Sequence, residues 1–160
     1  MNNANICNFF NSKENHLASV GSLFRNSGIP QWGENTLFDI KNVPQKWLGI
    51  QGYCITVSSN IISAILARSN EDFTEILAIA THSAYKNKGY ATKLLTYFIN
   101  LKATSYLLEV STQNTAAINL YNKIGFNALS TRKKYYTMPD NSLQDAVVMK
   151  RSCFPQTVGT

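Results

Sequence analysis

Between Phe73 and Asn100 the sequence "FTEILAIATHSAYKNKGYATKLLTYFIN" changes its hydrophobic period partway along, and that change limits what the chain can fold into. The first eleven residues, "FTEILAIATHS", are apolar and β-branched in the manner of a strand. Beyond "YKNKGYAT", Tyr85 to Thr92, the residues Ala91, Leu94, Leu95, Phe98 and Ile99 recur at i, i+3, i+4, i+7 and i+8, one stripe of an amphipathic helix. A strand that turns and feeds straight into a helix leaves backbone N–H groups free at the helix N-terminus, where the dipole favours negative charge. Gly89 admits a positive φ or a close approach, small Ala91 and Thr92 keep the first turn open, and Lys86 and Lys88 attract anions from a distance. Taken by itself the octapeptide suits a plain basic turn as well as a phosphate cradle. It is neither a Walker loop nor a dinucleotide fingerprint, because the required glycines are missing.

The segments around it define the class. "YCITVSS" and "IISAILARS" precede the strand, separated by Ser, Asn and Asp residues that suit tight turns, so a three-stranded antiparallel meander is expected. "SYLLEVS" reads as another strand with a carboxylate near its end. "QNTAAINLYNKIGF" reads as a short helix capped near Asn114 and stopped at Gly125. "ALSTRKKYYTM" and "DAVVMK" flank the turn "PDNS" as a final strand pair. The first 50 residues suggest two short helices, Glu14 to Arg25 and Glu34 to Ile40, with loops around Pro30 and Pro44. The fold class predicted is α/β (α+β), a single mixed, largely antiparallel sheet flanked by helices.

A chain of 160 residues with 44% hydrophobic and 15% charged residues predicts one domain over 1–160, its core at about 50–151 and residues 1–50 a helical segment. No apolar run approaches the roughly 20 residues that cross a bilayer. The polar start "MNNANICNFFNSKEN" lacks a signal-peptide pattern, so the expectation is a cytoplasmic protein with no membrane partner. Cys7, Cys54 and Cys153 are far apart and form no C-x-x-C pair, which predicts neither a disulfide framework nor a zinc site. The formal charge of +6 favours anionic partners. Nucleic acid is not expected among them, since no recognised binding motif accompanies the charge.

"AIATHSAYKNKGYATKLL" resembles the acetyl-CoA loop of the GNAT acetyltransferase superfamily, with Lys86-x-x-Gly89-x-Ala91 in place of its Arg/Gln-x-x-Gly-x-Gly/Ala. The first position is Lys here, and Ser83 stands where that family commonly has proline. "LEVSTQNTAAINLYNKIGF" resembles its second cofactor segment at Asn114, Ala117, Leu120, Tyr121, Gly125 and Phe126. Together with "RKKYY", the stretch over roughly residues 75–150 is similar to the acetyltransferases that modify protein N-termini, the ribosomal-protein alanine enzymes among them. Upstream, "IPQWGENTLF" resembles that family's Pro-Trp-Ser-Glu segment, with one extra residue between Pro30 and Trp32.

The resemblance implies a GNAT fold, acetyl-CoA as acetyl donor with no metal, and a protein N-terminus as acceptor, a ribosomal protein first among them. It implies that Asn87, Lys88, Gly89, Tyr90, Ala91 and Thr92 hold the pyrophosphate through main-chain N–H groups, and that Ile79, Ala80 and Thr81 pair with the pantetheine as an added strand. Asn114 would bond the pantetheine arm or simply cap its helix. Glu109, ending an otherwise apolar strand, is placed to take the amine proton directly or through water. The alternative for Glu109 is a structural carboxylate pairing a neighbouring cation. Tyr121 corresponds to the proposed general acid, with a core tyrosine as its alternative, and Trp32, Tyr135 and Tyr136 would line the acceptor groove. His82, with no orienting acid in its neighbourhood of the sequence, reads as a surface histidine. Two other functions remain open at this point: acetylation of a free small amine, and a non-catalytic acyl-CoA-binding module.

Overall fold

The computed structural model describes residues 4–12, 16–101 and 105–152. Cys153 and the start of the first expected helix, Glu14, lie outside them. The strands are β1 (Asn5–Asn8), β2 (Ile50–Val57), β3 (Asn60–Ser69), β4 (Phe73–Thr81), β5 (Ser105–Ser111), β6 (Asn127–Thr137) and β7 (Leu143–Arg151). The helices are α1 (His16–Asn26), α2 (Glu34–Asn42), α3 (Tyr90–Ile99) and α4 (Thr115–Lys123), with short 3-10 turns at Pro30–Trp32, Pro44–Lys46 and Ser83–Tyr85. One mixed sheet runs in the order β1-β2-β3-β4-β5-β7-β6. All neighbours are antiparallel except β4 and β5.

The predicted meander is β2–β4, and α3 buries Leu94, Leu95, Phe98 and Ile99, four of the five stripe residues. With Ile55, Ile65, Tyr106, Leu108 and Met149 they form the core on one face of the sheet. α4 closes that face through Tyr121, whose ring lies 5.9 Å from that of Phe126. On the other face α1 and α2 lay Leu17, Val20, Phe24, Leu37 and Ile40 against Cys54, Ala64, Leu66, Ala78 and Ala80. Both faces of β3 are therefore covered, and its six consecutive buried residues follow from that.

The first 50 residues depart from the expectation of helices and loops alone. Residues 5–8 form strand β1, which pairs with β2 at the sheet edge, and the buried residues of 9–40 extend the core beyond 50–151. "NICN" is too short and too polar for an alternating pattern to announce it. The edge at β6 is managed by charge: Arg132, Lys133 and Lys134 sit on an exposed, twice-irregular strand that is a poor template for another chain.

Gly21 sets the spacing of α1 against α2. A Cβ there would fall on the backbone of Glu34, 2.7 Å from its Cα. Gly→Ala in a helix interior ordinarily gains about 1 kcal/mol, whereas forcing a methyl into a packed contact costs about 1–3 kcal/mol. The clash is with backbone, which cannot rotate aside, so the second term wins. Gly21→Ala is expected to lower the thermal midpoint by several degrees; a rise in calorimetry would show that the two helices are not in this contact.

Candidate active site

β4 and β5 run parallel only over Phe73–Ile76 and Ser105–Leu108. At that point β4 carries a bulge: Leu66 opposes Ala78 while Ala67 opposes Ile76, leaving Leu77 unpaired with β3. A bulge bends its strand and increases the local twist. Beyond it β4 parts from β5, and β5 continues its ladder with β7 as far as Ser111. The parting opens a cleft of about 560 Å³, lined on the β4 side by Leu77–Ile79 and on the β5 side by Glu109–Ser111.

The cleft passes between the two faces of the sheet. On β5, Tyr106, Leu108 and Val110 point into the α3/α4 core, so the alternation sends Glu109 to the opposite face, towards α1. There Ser27, Gly28 and Ile29, just after α1, complete the wall. Tyr121, buried on α4, reaches the same cleft from the core side. Asn114 lines it and also caps α4, accepting from the Ala117 N–H at 3.2 Å. The N-cap reading of Asn114 is thus the one observed, and the cap leaves its amide NH2 unused. Gln113, Gln144 and Ser111 form a hydrogen-bonded polar rim, Ser111 Oγ to Gln144 Oε1 at 2.7 Å and Gln144 Nε2 to Gln113 Oε1 at 3.0 Å.

Glu109 is held from one side by a second irregularity. Arg132 opposes Ala146 and Tyr136 opposes Gln144, so Lys133, Lys134 and Tyr135 bulge opposite Asp145 alone, with Lys134 at φ 53°. Asp145 pins this bulge: its carboxylate accepts from Lys133 Nζ at 2.8 Å and from the Lys134 N–H at 2.9 Å. The bulge turns three side chains to one place. Arg132 Nε lies 2.7 Å from Glu109 Oε1, Tyr135 donates to the same carboxylate, and Tyr136 Oη donates to the Glu109 carbonyl at 3.2 Å. The Arg132 guanidinium also lies over the Tyr135 ring at 5.6 Å.

These contacts set the phenols. Tyr135 is pushed up to about 12, first by its hydrogen bond to Glu109, then by burial and the carboxylate's charge. Burial pushes Tyr121 well above the ordinary tyrosine range, with Tyr136 adding to the effect. Tyr136 is raised by burial and then by Glu109. All three phenols are neutral hydrogen-bond donors throughout the physiological range.

The loop after β4 turns directly into α3. His82 caps the 3-10 turn, Nδ1 accepting from the Ala84 N–H at 3.3 Å, and is exposed. Asn87 takes φ 59° and Gly89 φ 81°, Gly89 standing immediately before α3. The first backbone bond of the helix is Lys93 N–H to the Gly89 carbonyl at 2.9 Å. Among the described residues, the N–H groups of Asn87 through Thr92 donate to no backbone carbonyl. Lys88 folds its ammonium over the Tyr85 ring at 5.3 Å, away from a purely extended pose.

Of the acceptor-side residues, Trp32 is not brought to the cleft. It packs edge-on to Trp47 at 6.3 Å, and Trp47 Nε1 donates to Asp39 at 2.8 Å. The wall on that side is made by Ser27–Ile29. Ala80 is buried against Ser63 Oγ, which donates to its carbonyl at 3.0 Å, and Thr81 faces a neighbouring groove with His82 and Lys86. Sequence reading missed Arg132, Gln113, Gln144 and Asp145. The one available signal was Asp145, a single acid facing "RKKYY" across a four-residue turn.

Asp145 is held below the usual carboxylate range, chiefly by Lys133 and then by the Lys134 N–H. A depressed folded value means its contribution is complete above the unfolded pKa of about 3.9 and is lost as pH falls through the lower folded one. The Lys134 amide is therefore expected to stay protected from hydrogen exchange down to about pH 4 and to lose protection in more acid solution. Asp145→Ala is expected to abolish that protection at neutral pH, by more than tenfold in rate, while β5–β7 amides keep theirs; an unchanged Lys134 amide would mean the bulge holds itself.

Residues 18–126 match the Acetyltransferase (GNAT) family. A ribosomal protein bS18-alanine N-acetyltransferase of Haemophilus ducreyi is 38% identical over 122 residues, 74% of this chain and 81% of that protein. The crystal structure of the ribosomal-protein-S18-alanine N-acetyltransferase from Escherichia coli superposes with a TM-score of 0.79 at 21% identity, covering 99% of this chain and 100% of that one. NAA60 of Arabidopsis thaliana in complex with acetyl-CoA gives a TM-score of 0.78 at 13% identity over 93% of this chain and 98% of that one. A strand bulge that opens the sheet, a loop of free amides before α3 and a family match over more than half the chain agree, and the chain belongs to the GNAT acetyltransferase family.

Proposed function

We propose that this protein transfers the acetyl group of acetyl-CoA to the α-amine of a protein N-terminus, with the N-terminal alanine of a small-subunit ribosomal protein as its substrate. The observation that carries the proposal is the single cleft lined by Glu109 from one face of the sheet and by Tyr121 from the other. Such a cleft admits an amine from the α1 side and a thioester from the core side, with the carbonyl between them. The 38% identity to a bS18-alanine enzyme supports the choice of acceptor.

The chemistry favours an α-amine. Its pKa near 8 leaves roughly a tenth of it free at pH 7, whereas a lysine side chain near 10.4 leaves on the order of 10² less. Glu109 removes the proton that becomes acidic as the nitrogen attacks, a role worth typically 10²–10⁴ in rate. Arg132 and Tyr135 hold that carboxylate in place, and an incoming ammonium takes up hydrogen bonding beside them. Pantetheine lies along Leu77–Ile79 as an added strand, its carbonyl oriented by main-chain N–H groups of β4. Asn87–Thr92 bind the pyrophosphate through their free amides. Tyr121 stabilises the departing sulfur.

Incubation with acetyl-CoA and a panel of peptides and small amines tests the reading: turnover of Ala-initiated peptides is expected, and turnover of small amines alone would sink it. Glu109→Gln should lower kcat about 10²-fold or more with the donor KM little changed. Tyr121→Phe should lower kcat by about tenfold or more, since one charge-stabilising hydrogen bond of about 1.5–3 kcal/mol is lost. Unchanged turnover in both variants would refute the assigned roles.

The two halves of the phosphate loop separate in the same assay. Gly89→Val forces a β-branched residue to φ 81°, although nothing lies within 4 Å of a Cβ there, so the cost is conformational. Its donor KM should rise by more than that of Lys88→Ala, which removes only a screened charge. The opposite order would place the binding energy in the lysine.

A further inference from the structure

We propose that Cys7, His16 and Cys54 form a zinc site, a Cys2His clamp that joins the edge strand, the sheet and the start of α1. Cys7 and Cys54 are 47 residues apart but face each other across the β1–β2 pair. Their Sγ atoms are 3.5 Å apart, and Cys7 Sγ is 3.7 Å from His16 Nδ1. All three donor atoms lie within 4.8 Å of one another. Neither cysteine is in a disulfide.

A tetrahedral zinc ion with Zn–S of about 2.3 Å and Zn–N of about 2.05 Å has ligand-to-ligand edges of roughly 3.6–3.8 Å. The Sγ–Nδ1 separation of 3.7 Å is close to its edge, and the Sγ–Sγ separation of 3.5 Å is about 0.3 Å short of its own, a shift that a small side-chain rotation supplies. The donor set is chemically selective, since thiolate and imidazole favour zinc over the hard cations that take oxygen. Charge also balances: two thiolates neutralise Zn2+, so Cys54 and His16, both buried, would not enclose a net charge. Binding releases the two thiol protons and leaves the imidazole neutral, with zinc neither oxidised nor reduced. Cys7 is only partly buried, which gives the ion an entry side and water a fourth position.

The place of the cluster gives it a consequence. His16 opens α1, and the turn that follows α1, Ser27–Ile29, is a wall of the catalytic cleft. Metal at one end of the helix therefore fixes the element that carries the wall at its other end. None of the three residues lines the cleft.

The test uses tag-free, reduced protein stripped with a chelator, titrated with Zn2+ in competition with a chromophoric chelator, and separately with Co2+. The wild type should bind one equivalent, show a near-ultraviolet thiolate-to-cobalt charge-transfer band, and gain thermal stability with zinc. Cys7→Ser and His16→Gln should each weaken binding by at least about tenfold and lose the zinc-dependent rise in Tm. Cys7→Ser is the more informative variant, because Cys7 is partly exposed and a serine there leaves the fold intact, as its circular dichroism will verify. Zinc binding as tight in Cys7→Ser as in wild type, a cobalt adduct without the thiolate band, or a reduced protein that takes up no metal and instead forms a Cys7–Cys54 disulfide under mild oxidant would each overturn the proposal.

Discussion

The extra residue in β4 at Leu77 is the constraint on which the rest of the site depends. A parallel pair kept in register to its end would bury the backbone groups of Ile76 to Thr81 in a ladder with β5 and leave no gap in the sheet. The bulge ends the pairing after four residues on each strand. It exposes one backbone edge of β4 without unravelling the sheet, because β3 still pairs with β4 and β7 with β5. The strand edge, normally a hazard for aggregation, lies inside the cleft, where the proposed function uses it as the template for an extended ligand. The same parting brings the two faces of the sheet into contact with one space, which is how a residue of the α1 face and a residue of the α4 core come to share it.

The second irregularity serves the first. An unbroken β6 would alternate its side chains, and Arg132, Tyr135 and Tyr136 could not all turn to Glu109. With Lys134 in the left-handed region and Asp145 holding the turn, they do. Lys134 is neither glycine nor asparagine, so its conformation costs on the order of 1 kcal/mol or more, offset by the two bonds from Asp145. Asp145 touches neither cleft nor Glu109, yet it positions the groups that do.

Much of this was legible in the sequence where periodicity or turn chemistry is strong. The stripe of α3 emerged as read, with Ala91 less buried than the rest, and Asn114 and Gly125 bound α4 as cap and stop. The final strand pair also formed as read, but the sheet order places β7, not β6, beside β5, because order depends on contacts between distant segments. Glu109, Tyr121, Asn114, Ile79 and Tyr136, all named from the sequence, line one cleft. Three features were not readable. A four-residue polar strand carries no period; a bulge is visible only against its partner's register; and cysteines 47 residues apart become neighbours only through strand pairing. Trp32, which a partial likeness of sequence put in the acceptor groove, packs on Trp47, while Ser27–Ile29 line the cleft.

Within the proposed mechanism, the burial of Tyr121 sharpens what its phenol would do. A thiol near 8.5 is a far stronger acid than a phenol raised above its ordinary 10, so moving the proton wholly from Tyr121 to the departing thiolate would run uphill by more than about 2 kcal/mol. A buried tyrosinate would also go unsolvated, and that loss of solvation is what raises the phenol in the first place. The phenol is thus better suited to donate a strong hydrogen bond to sulfur as charge develops than to give up its proton. In the proposed mechanism the proton that finally neutralises the thiolate then comes from the nitrogen side, through Glu109, or from water at the mouth of the cleft. Burial that weakens Tyr121 as an acid keeps it protonated and aimed, and a donor fixed before the charge appears needs no reorganisation when it does.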